Sequence, residues 1–253
     1  MIASPSRPLH TDALFPELAG SYQFSLNQYR ALVSHDLLTT ADKVELLHGY
    51  VLYKLDHTPP PPASRFYPQW QQLRRWTLAE YRRMVELGIL TPDDKLEFID
   101  GYLVLKMPQN TPHRSSVLRM TTRLPRLLPD GWVLMSQCPL EVGNYDPEPD
   151  GAVLRGVDSD YDRRVPIASD CGLVIEVSDT SLREDRRVKA VIYAEAAIPT
   201  YWIANVEERR VETYSNPSGS VYATRTDYLP GQFIPLMLDG KLAANIPVDA
   251  LLP

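Results

Sequence analysis

The stretch Cys171–Asn205 constrains the fold of this chain more than any other. It opens with the run Leu173–Val177, which is apolar except for Glu176. A nearly continuous apolar run of this length is typical of a strand that is covered on both faces, in a parallel or mixed sheet. Pro199 ends the helix predicted after it, and Tyr201–Ile203 predicts the next strand. The stretch therefore predicts a strand–helix–strand unit.

The helix between these strands carries regularly spaced polar side chains. Ser181 and Glu184 have the spacing of a capping box, which predicts the start of the helix. Asp185, Lys189 and Tyr193 then recur every four residues and so lie on one helical face. Two explanations of the lysine remain open: a salt bridge to Asp185 on a solvated face, or a role towards a negatively charged ligand. We predict that Tyr193 packs.

A second acidic position lies upstream. The turn sequence Glu148–Gly151 places Asp150 directly before the short apolar run Ala152–Leu154. An acid that enters one strand and Glu176 near the end of a later strand can lie side by side on neighbouring strands. Two adjacent carboxylates suit a hard divalent cation such as Mg2+ or Mn2+. The residues also allow simpler explanations, with Asp150 as a turn residue after proline and Glu176 as the ion-pair partner of a lysine.

An internal repeat occupies the N-terminal part of the chain. Residues 24–54 align without gaps on residues 76–106, and roughly twelve of about thirty positions are identical, too many for chance. Each copy predicts an N-capped helix, a turn and a hairpin that pivots on Gly49 or Gly101. The predicted divisions are a loosely ordered N-terminus (1–21), the first copy (22–57), a Pro-rich linker (58–73) and a domain that includes the second copy (74–253).

Several motifs in one order carry a family resemblance. LEFIDGYLV, EPDGAV, LVIEVSDTS and DRRVKAVIYAEAAIPTYWIAN together resemble the Uma family of restriction-endonuclease-like proteins, in the PD-(D/E)XK nuclease superfamily. The resemblance covers roughly residues 76–253. It implies that 74–253 is a nuclease-like domain of the α/β class, a restriction-endonuclease-like core with a mixed β-sheet flanked by helices. It also implies Mg2+-dependent (or Mn2+-dependent) endonuclease activity on the phosphodiester bonds of DNA.

The resemblance further assigns the site. Asp150, Glu176, Lys189 and Glu97 would be the catalytic residues, and the three acids would be the metal ligands. Ser178 stands where the simplest superfamily pattern has a lysine, and in this family the lysine is thought to lie in the following helix, here at Lys189. That lysine would stabilise charge on the phosphate or orient the attacking water. Because the first copy has an acid at the position of Glu97, a structural role for Glu97 also stays open.

Arginines are candidates for contact with nucleic acid. A basic stripe follows one side of the helix predicted to start near His113, and further arginines lie at its start and in the later helix. The stripe and the further arginines are Arg119, Arg123 and Arg126, with Arg114, Arg186 and Arg187. They could follow a phosphate backbone, or they could form the solvated side of an amphipathic helix. We interpret His113 as structural.

Charge and composition favour a second hypothesis. The chain of 253 residues has a formal net charge of -6 and is 44% hydrophobic, which argues against broad nonspecific binding of nucleic acid. The acidic charge and Ser178 in place of lysine favour a catalytically silent nuclease-like scaffold used as a protein- or nucleic-acid-binding module. Two cysteines without a CxxC pattern and the lack of a signal or membrane segment predict a cytoplasmic protein. The sequence allows a homodimer and leaves DNA versus RNA open.

Overall fold

A computed structural model describes residues 16–54 and 63–253. The chain divides into two compact units, Met1–Lys106 and Met107–Pro253. Most of the predicted loose N-terminus (1–15 of 1–21) and the first part of the predicted linker (58–62 of 58–73) lie outside the described residues. The predicted domain 74–253 begins inside the first unit, so its boundary stays a proposal. In the described part of the chain, no helix has the length and apolar character needed to cross a membrane.

The first unit consists of two successive helix–hairpin elements. Their bounds are α1 (Leu26–Ser34), β1 (Val44–Leu47) and β2 (Tyr50–Tyr53), then α2 (Leu78–Glu86), β3 (Leu96–Ile99) and β4 (Tyr102–Leu105). Ser25 and Thr77 cap the two helices, each in a complete capping box, and so satisfy backbone donors that a helix leaves unpaired. Gly49 and Gly101 have φ values of 86° and 81° in the hairpin turns, a conformation that favours glycine. That the two elements arose by duplication stays a prediction.

The second unit is a mixed α/β fold around a six-stranded sheet. Its elements are α3 (Thr111–Arg123), β5 (Trp132–Met135), β6 (Gly151–Arg155), β7 (Cys171–Ser178), α4 (Leu182–Glu184), a π-helical turn (Asp185–Lys189), α5 (Ala190–Glu195), β8 (Thr200–Asn205), β9 (Arg210–Ser218), β10 (Val221–Tyr228), β11 (Phe233–Leu238) and β12 (Lys241–Pro247). The strand order is β10-β9-β8-β7-β6-β5, and β11 pairs with β12 in a separate hairpin. Of the adjacent pairs in the large sheet, only β7 and β8 run parallel.

The parallel pair explains the apolar run Leu173–Val177. Parallel neighbours need a crossover connection, which α4, the π-helical turn and α5 provide. Every residue of β7 and of β8 is buried. Because both faces of these strands are covered, apolar side chains are required at successive positions rather than at alternate ones. The predicted strand–helix–strand unit is confirmed.

Close packing beside β6 places the start of that strand. A Cβ atom on Gly151 would lie 2.9 Å from the side chain of Met120 on α3, which is itself fully buried. Only glycine allows this approach without displacement of the methionine. Gly151 therefore lets the Met120 side chain pack closely against the start of β6, directly after Asp150.

The start of the crossover helix differs from the prediction. Ser181 and Glu184 do not form a capping box, because the Ser181 hydroxyl instead donates to Asp185 Oδ2 at 2.7 Å. The helix also changes its hydrogen-bonding pattern after Glu184, where the π-helical turn begins. A π-helical turn is rare and is found frequently at functional sites.

Candidate active site

Two carboxylates lie together at one end of β6 and β7. Gly151 pairs with Ile175 in the antiparallel ladder, so the residue before Gly151 faces the residue after Ile175. The Val177 amide donates to Asp150 Oδ2 at 2.8 Å, and the Asp150 amide lies 3.4 Å from Glu176 Oε2. Each strand thus supplies a backbone donor to the acid of the other. The two side chains, both buried, form the carboxylate pair that the sequence predicts.

Glu176 has two further donors from the crossover helix. Lys189 Nζ lies 3.2 Å from Glu176 Oε1, and the Tyr193 hydroxyl donates to the same oxygen at 2.8 Å. A carboxylate that is removed from water requires such partners, since an isolated buried charge is strongly unfavourable. Lys189 is only 6% exposed, so the explanation as a salt bridge on a solvated face is wrong. The ammonium group belongs to the buried cluster.

Tyr193 has a polar role that the sequence analysis missed. Its ring packs against Tyr201 with centroids 5.0 Å apart, as predicted for a packing residue, while its hydroxyl reaches Glu176. The spacing of Lys189 and Tyr193 indicated a shared helical face, but not which oxygen that face would meet. Only the position of β7 beneath the helix provides that information.

His113 is the second residue whose role the sequence analysis missed. It lies in the first turn of α3, and its Nε2 is 3.2 Å from Asp150 Oδ2. Burial lowers the pKa of His113, but the hydrogen bond to Asp150 and the charges of Asp150, Asp185 and Asp179 outweigh it and raise the pKa above its ordinary value. Nδ1 is buried and has no hydrogen-bond partner among the described residues. His113 therefore orients Asp150.

Asp185 is a third buried acid, beside the cluster. Burial raises the pKa of Asp185 to about 7, although the charge of Lys189 and the hydroxyl of Ser181 oppose the shift. The neutral form is thus favoured in the folded state below about pH 7. This acid stabilises the fold fully below its unfolded pKa of 3.8, and that contribution is lost as the pH rises through about 7.

We expect Asp185→Asn to stabilise the protein at alkaline pH. The amide cannot ionise but can still accept the Ser181 hydroxyl, so the free energy of unfolding should rise at pH 8.5 and change little at pH 4. The pKa shift of Asp185 corresponds to a gain in the free energy of unfolding on the order of a few kcal/mol. Urea unfolding at both pH values measures it, with the exposed Asp158→Asn as the control. Equal effects of Asp185→Asn at the two pH values would contradict a raised pKa of Asp185 in the folded protein.

The predicted nucleic-acid contacts are not equivalent to one another. Arg114, Arg126 and Arg187 are exposed, Arg119 is half-buried, and Arg123 donates to the backbone oxygen of Asp249 at 2.6 Å. Arg186 Nε donates to Glu212 Oε2 at 2.9 Å, and a second guanidinium nitrogen binds the other oxygen of that fully buried acid. Arg186 therefore already has a strong partner, while the contact of all six with nucleic acid stays a prediction.

An open cleft of about 700 Å3 lies at the N-terminal end of the crossover helix. Arg183, Arg186 and Arg187 line it, together with the acids Asp179 and Glu207. Arg183 is exposed and was not among the predicted contacts. The cleft adds one arginine to the candidate set, and its two acids moderate the positive charge.

Glu97 lies on β3 of the first unit. It is half-buried and pairs with Val104 across the hairpin, whereas its equivalent in the first copy, Glu45, is exposed and pairs with Leu52. Within residues 16–54 and 63–253, no group of three His, Cys, Asp or Glu side chains could hold a metal ion. The role of Glu97 as a third ligand stays a prediction.

The fold and the carboxylate–lysine cluster define a nuclease-like protein. The chain belongs to the Uma2 family, described as "Putative restriction endonuclease", whose model matches residues 78–246. Among solved structures, the chain is similar to a protein from Anabaena variabilis ATCC 29413, a "putative nuclease belonging to DUF820". The two share 14% identity and a TM-score of 0.54, over 69% of this chain and 96% of the other. This similarity shows the fold alone. No curated protein matches the chain.

The residues of the cluster fit the divalent cation that a nuclease of this fold implies. Asp150 Oδ2 receives the Val177 amide and His113, while Oδ1 makes no hydrogen bond within the described part of the chain. Two carboxylates supply the hard oxygen ligands that Mg2+ prefers, and Mg2+ usually retains several waters in addition to one or two carboxylates. Two protein carboxylates are therefore a sufficient donor set.

Proposed function

We propose that the chain is a divalent-metal-dependent endonuclease that hydrolyses phosphodiester bonds of DNA. One observation carries the proposal: a buried lysine and a carboxylate pair share a single hydrogen-bonded cluster at the ends of two strands. A structural ion pair needs one acid for one lysine, and the second carboxylate is then unnecessary. We place the nuclease-like domain at 74–253, with the first copy (22–57) and the linker (58–73) added before it.

Asp150 and Glu176 would hold Mg2+ or Mn2+. When bound, the cation would polarise the scissile phosphate and lower the pKa of a coordinated water. The chain supplies the orientation of both acids. The Val177 amide and His113 hold Asp150, while Lys189 and Tyr193 hold Glu176. These contacts hold both carboxylates in fixed rotamers before substrate binds.

Lys189 would carry the second part of the chemistry. Its ammonium group stabilises negative charge that develops on the phosphate, or orients the attacking water. The tertiary position allows this role although the lysine lies thirteen positions after Glu176 rather than two. The crossover helix returns Nζ to the strand end, where the simplest superfamily pattern places it directly from the strand.

The test is a titration and an activity assay on the same preparation. Calorimetry with Mn2+ should show binding, and the protein should nick supercoiled plasmid in the presence of Mn2+ or Mg2+ but not with EDTA. A protein that binds neither cation and is inactive on DNA and RNA would overturn the proposal. The discriminating comparison is with variants of the cluster purified in parallel, because a contaminating nuclease would be equally active in all of them.

A nuclease-like binding scaffold is the second candidate. Lys189 and Tyr193 already compensate the charge of Glu176 without a metal ion, and the chain is acidic overall, with a net charge of -6. In that case the cluster would be a structural ion pair. Plasmid binding without metal affinity or cleavage would favour this function.

We expect Arg187→Ala to weaken DNA binding equally for all sequences. Arg187 is exposed in the cleft, and a phosphate contact from it would release counterions, so the slope of log K against log salt should decrease by about one. Fluorescence anisotropy between about 50 and 200 mM salt would measure the slope. Arg163→Ala, another exposed arginine, is the matched control for the loss of one charge. Identical slopes in the two variants would remove Arg187 from the interface.

A further inference from the structure

The two helix–hairpin elements of the first unit exchange backbone contacts reciprocally. The segment before α1 pairs with the second hairpin, where the Tyr22 amide donates to the Leu103 oxygen at 2.9 Å. The segment before α2 pairs with the first hairpin, where the Arg74 amide donates to the Val51 oxygen at 2.8 Å. Tyr22 and Arg74 occupy the same position in the two copies, as do Leu103 and Val51. Each copy therefore completes the hairpin of the other.

Side chains at these positions repeat the exchange. The Tyr22 hydroxyl donates to Asp94 and accepts from Gln28 at 2.7 Å. At the equivalent positions, Arg74 donates to Asp42 at 2.8 Å and to Glu80 at 2.7 Å. In both cases a donor that precedes one helix binds an acid that follows the other helix. Arg74 is buried and pairs with both acids through a terminal guanidinium nitrogen, so this is a specific contact rather than a solvated ion pair.

An apolar centre lies between the copies. Phe24 and Trp76, which are equivalent positions, face each other with ring centroids 5.7 Å apart. Leu32 of α1 and Met84 of α2, also equivalent, are fully buried in the same apolar cluster. Contacts between equivalent positions are the signature of an isologous, two-fold interface. Here a single chain provides both halves.

The half of this interface that belongs to the second copy is self-complementary. In a two-fold pair of second copies, Arg74 of one chain would face Asp94 of the other, and Trp76 would face Trp76. The charges are opposite, and the rings are both aromatic and apolar. The family match begins at residue 78, after the first copy, so the part of the chain that the family model describes does not include the first copy.

We propose that the face of the second copy covered by the first copy is a self-association surface, whose fitting partner is a second copy of this chain. The first copy occupies that surface within the same chain and so keeps it from pairing with another. A chain whose first copy is disabled should then form a two-fold dimer through the second copies. This inference does not depend on nuclease activity.

The test disables the first copy within the full-length chain. Leu32→Asp with Leu38→Asp places charges at two buried positions, whereas Leu26→Asp with Val33→Asp changes two exposed apolar positions of the same segment. Light scattering and sedimentation velocity should show a twofold mass for the first variant and the parent mass for the control. Adding Arg74→Asp to the disabled variant should return it to the monomer, because the introduced carboxylate would face Asp94 of the other chain.

Three outcomes would overturn the inference. If the disabled variant folds cooperatively but stays monomeric, the second copy has no self-association surface. If the disabled variant remains a dimer after Arg74→Asp is added, the dimer forms through a different surface. Truncation to residues 63–253 gives a second measurement in case the disabled variant does not fold. If neither protein folds at any concentration, the first copy is an indispensable part of the unit rather than a substitute for a second chain.

Discussion

Replacing Asp150 with alanine should abolish Mn2+ binding while the fold remains intact. Asp150 Oδ2 accepts from the Val177 amide and contacts His113, whereas Oδ1 makes no hydrogen bond in the described part of the chain. Loss of the Asp150 carboxylate should not leave a buried positive charge unpaired, because His113 can release its proton and become neutral. We expect the metal affinity to fall at least about 100-fold, the upper end of what the loss of outer-shell partners causes. Calorimetry measures the affinity, and circular dichroism checks the fold.

Glu176 needs a different substitution. Glu176→Ala would leave the buried ammonium of Lys189 without its carboxylate, at a cost of about 3–5 kcal/mol in stability. Glu176→Gln keeps an acceptor for Lys189 and Tyr193 but removes the charge that a cation requires. We therefore expect Glu176→Gln to lose Mn2+ binding like Asp150→Ala. The control is Asp158→Ala, an exposed acid in the same unit. Binding of Mn2+ as in the parent by either site variant would refute the carboxylate pair as the metal site.

Lys189→Met should lose cleavage but retain metal affinity. The methionine fills the buried space, and removal of the ammonium releases Glu176 from a competing positive charge. Metal affinity should thus stay equal or increase, whereas the loss of stabilisation of the phosphate should lower the cleavage rate about 100- to 1000-fold. Lys189→Arg should restore little, because a planar guanidinium does not replace a compact ammonium beside an attacking water.

Tyr193→Phe is the matched control for the lysine. It removes one hydrogen bond to the same oxygen of Glu176 while keeping the ring that packs on Tyr201. We expect a much smaller loss of cleavage, since the ammonium remains in place. Plasmid nicking by the parent, Lys189→Met and Tyr193→Phe proteins measures the three rates. If Lys189→Met cleaves like the parent, the lysine is structural, and the binding scaffold becomes the better account of the cluster.

Local patterns were sufficient for several elements. The apolar run of β7 predicted a strand buried on both faces, since such a strand has no solvated side at which polar residues can alternate. The predicted N-caps of the two repeat helices are confirmed at Ser25 and Thr77, because such a cap involves only neighbouring residues, although the same kind of pattern at Ser181 and Glu184 was wrong. Gly49 and Gly101 predicted the two hairpin turns for a similar reason, namely a backbone conformation that few other residues adopt.

The site was predictable in its residue types and only partly in its contacts. Asp150 and Glu176 follow from two strand ends that any antiparallel pairing in this register brings together. The partners of these acids, His113 and Tyr193, were not predictable, because each comes from an element whose packing depends on the whole core. Their signals in the sequence were a histidine before a helix and a tyrosine on a helical face, and both are more often structural.

What the sequence by itself determined is therefore the set of elements whose interactions are local: buried strands, capped helices and glycine turns. Only the tertiary structure decided which charges meet. The helical spacing pointed from Lys189 to Asp185, whereas the structure brings Lys189 Nζ to 3.2 Å from Glu176 Oε1 on β7. The reciprocal exchange that pairs Tyr22 with Asp94 and Arg74 with Asp42 was equally hidden. In each case the partners lie at least 13 positions apart in the chain, so local patterns cannot specify which side chains meet.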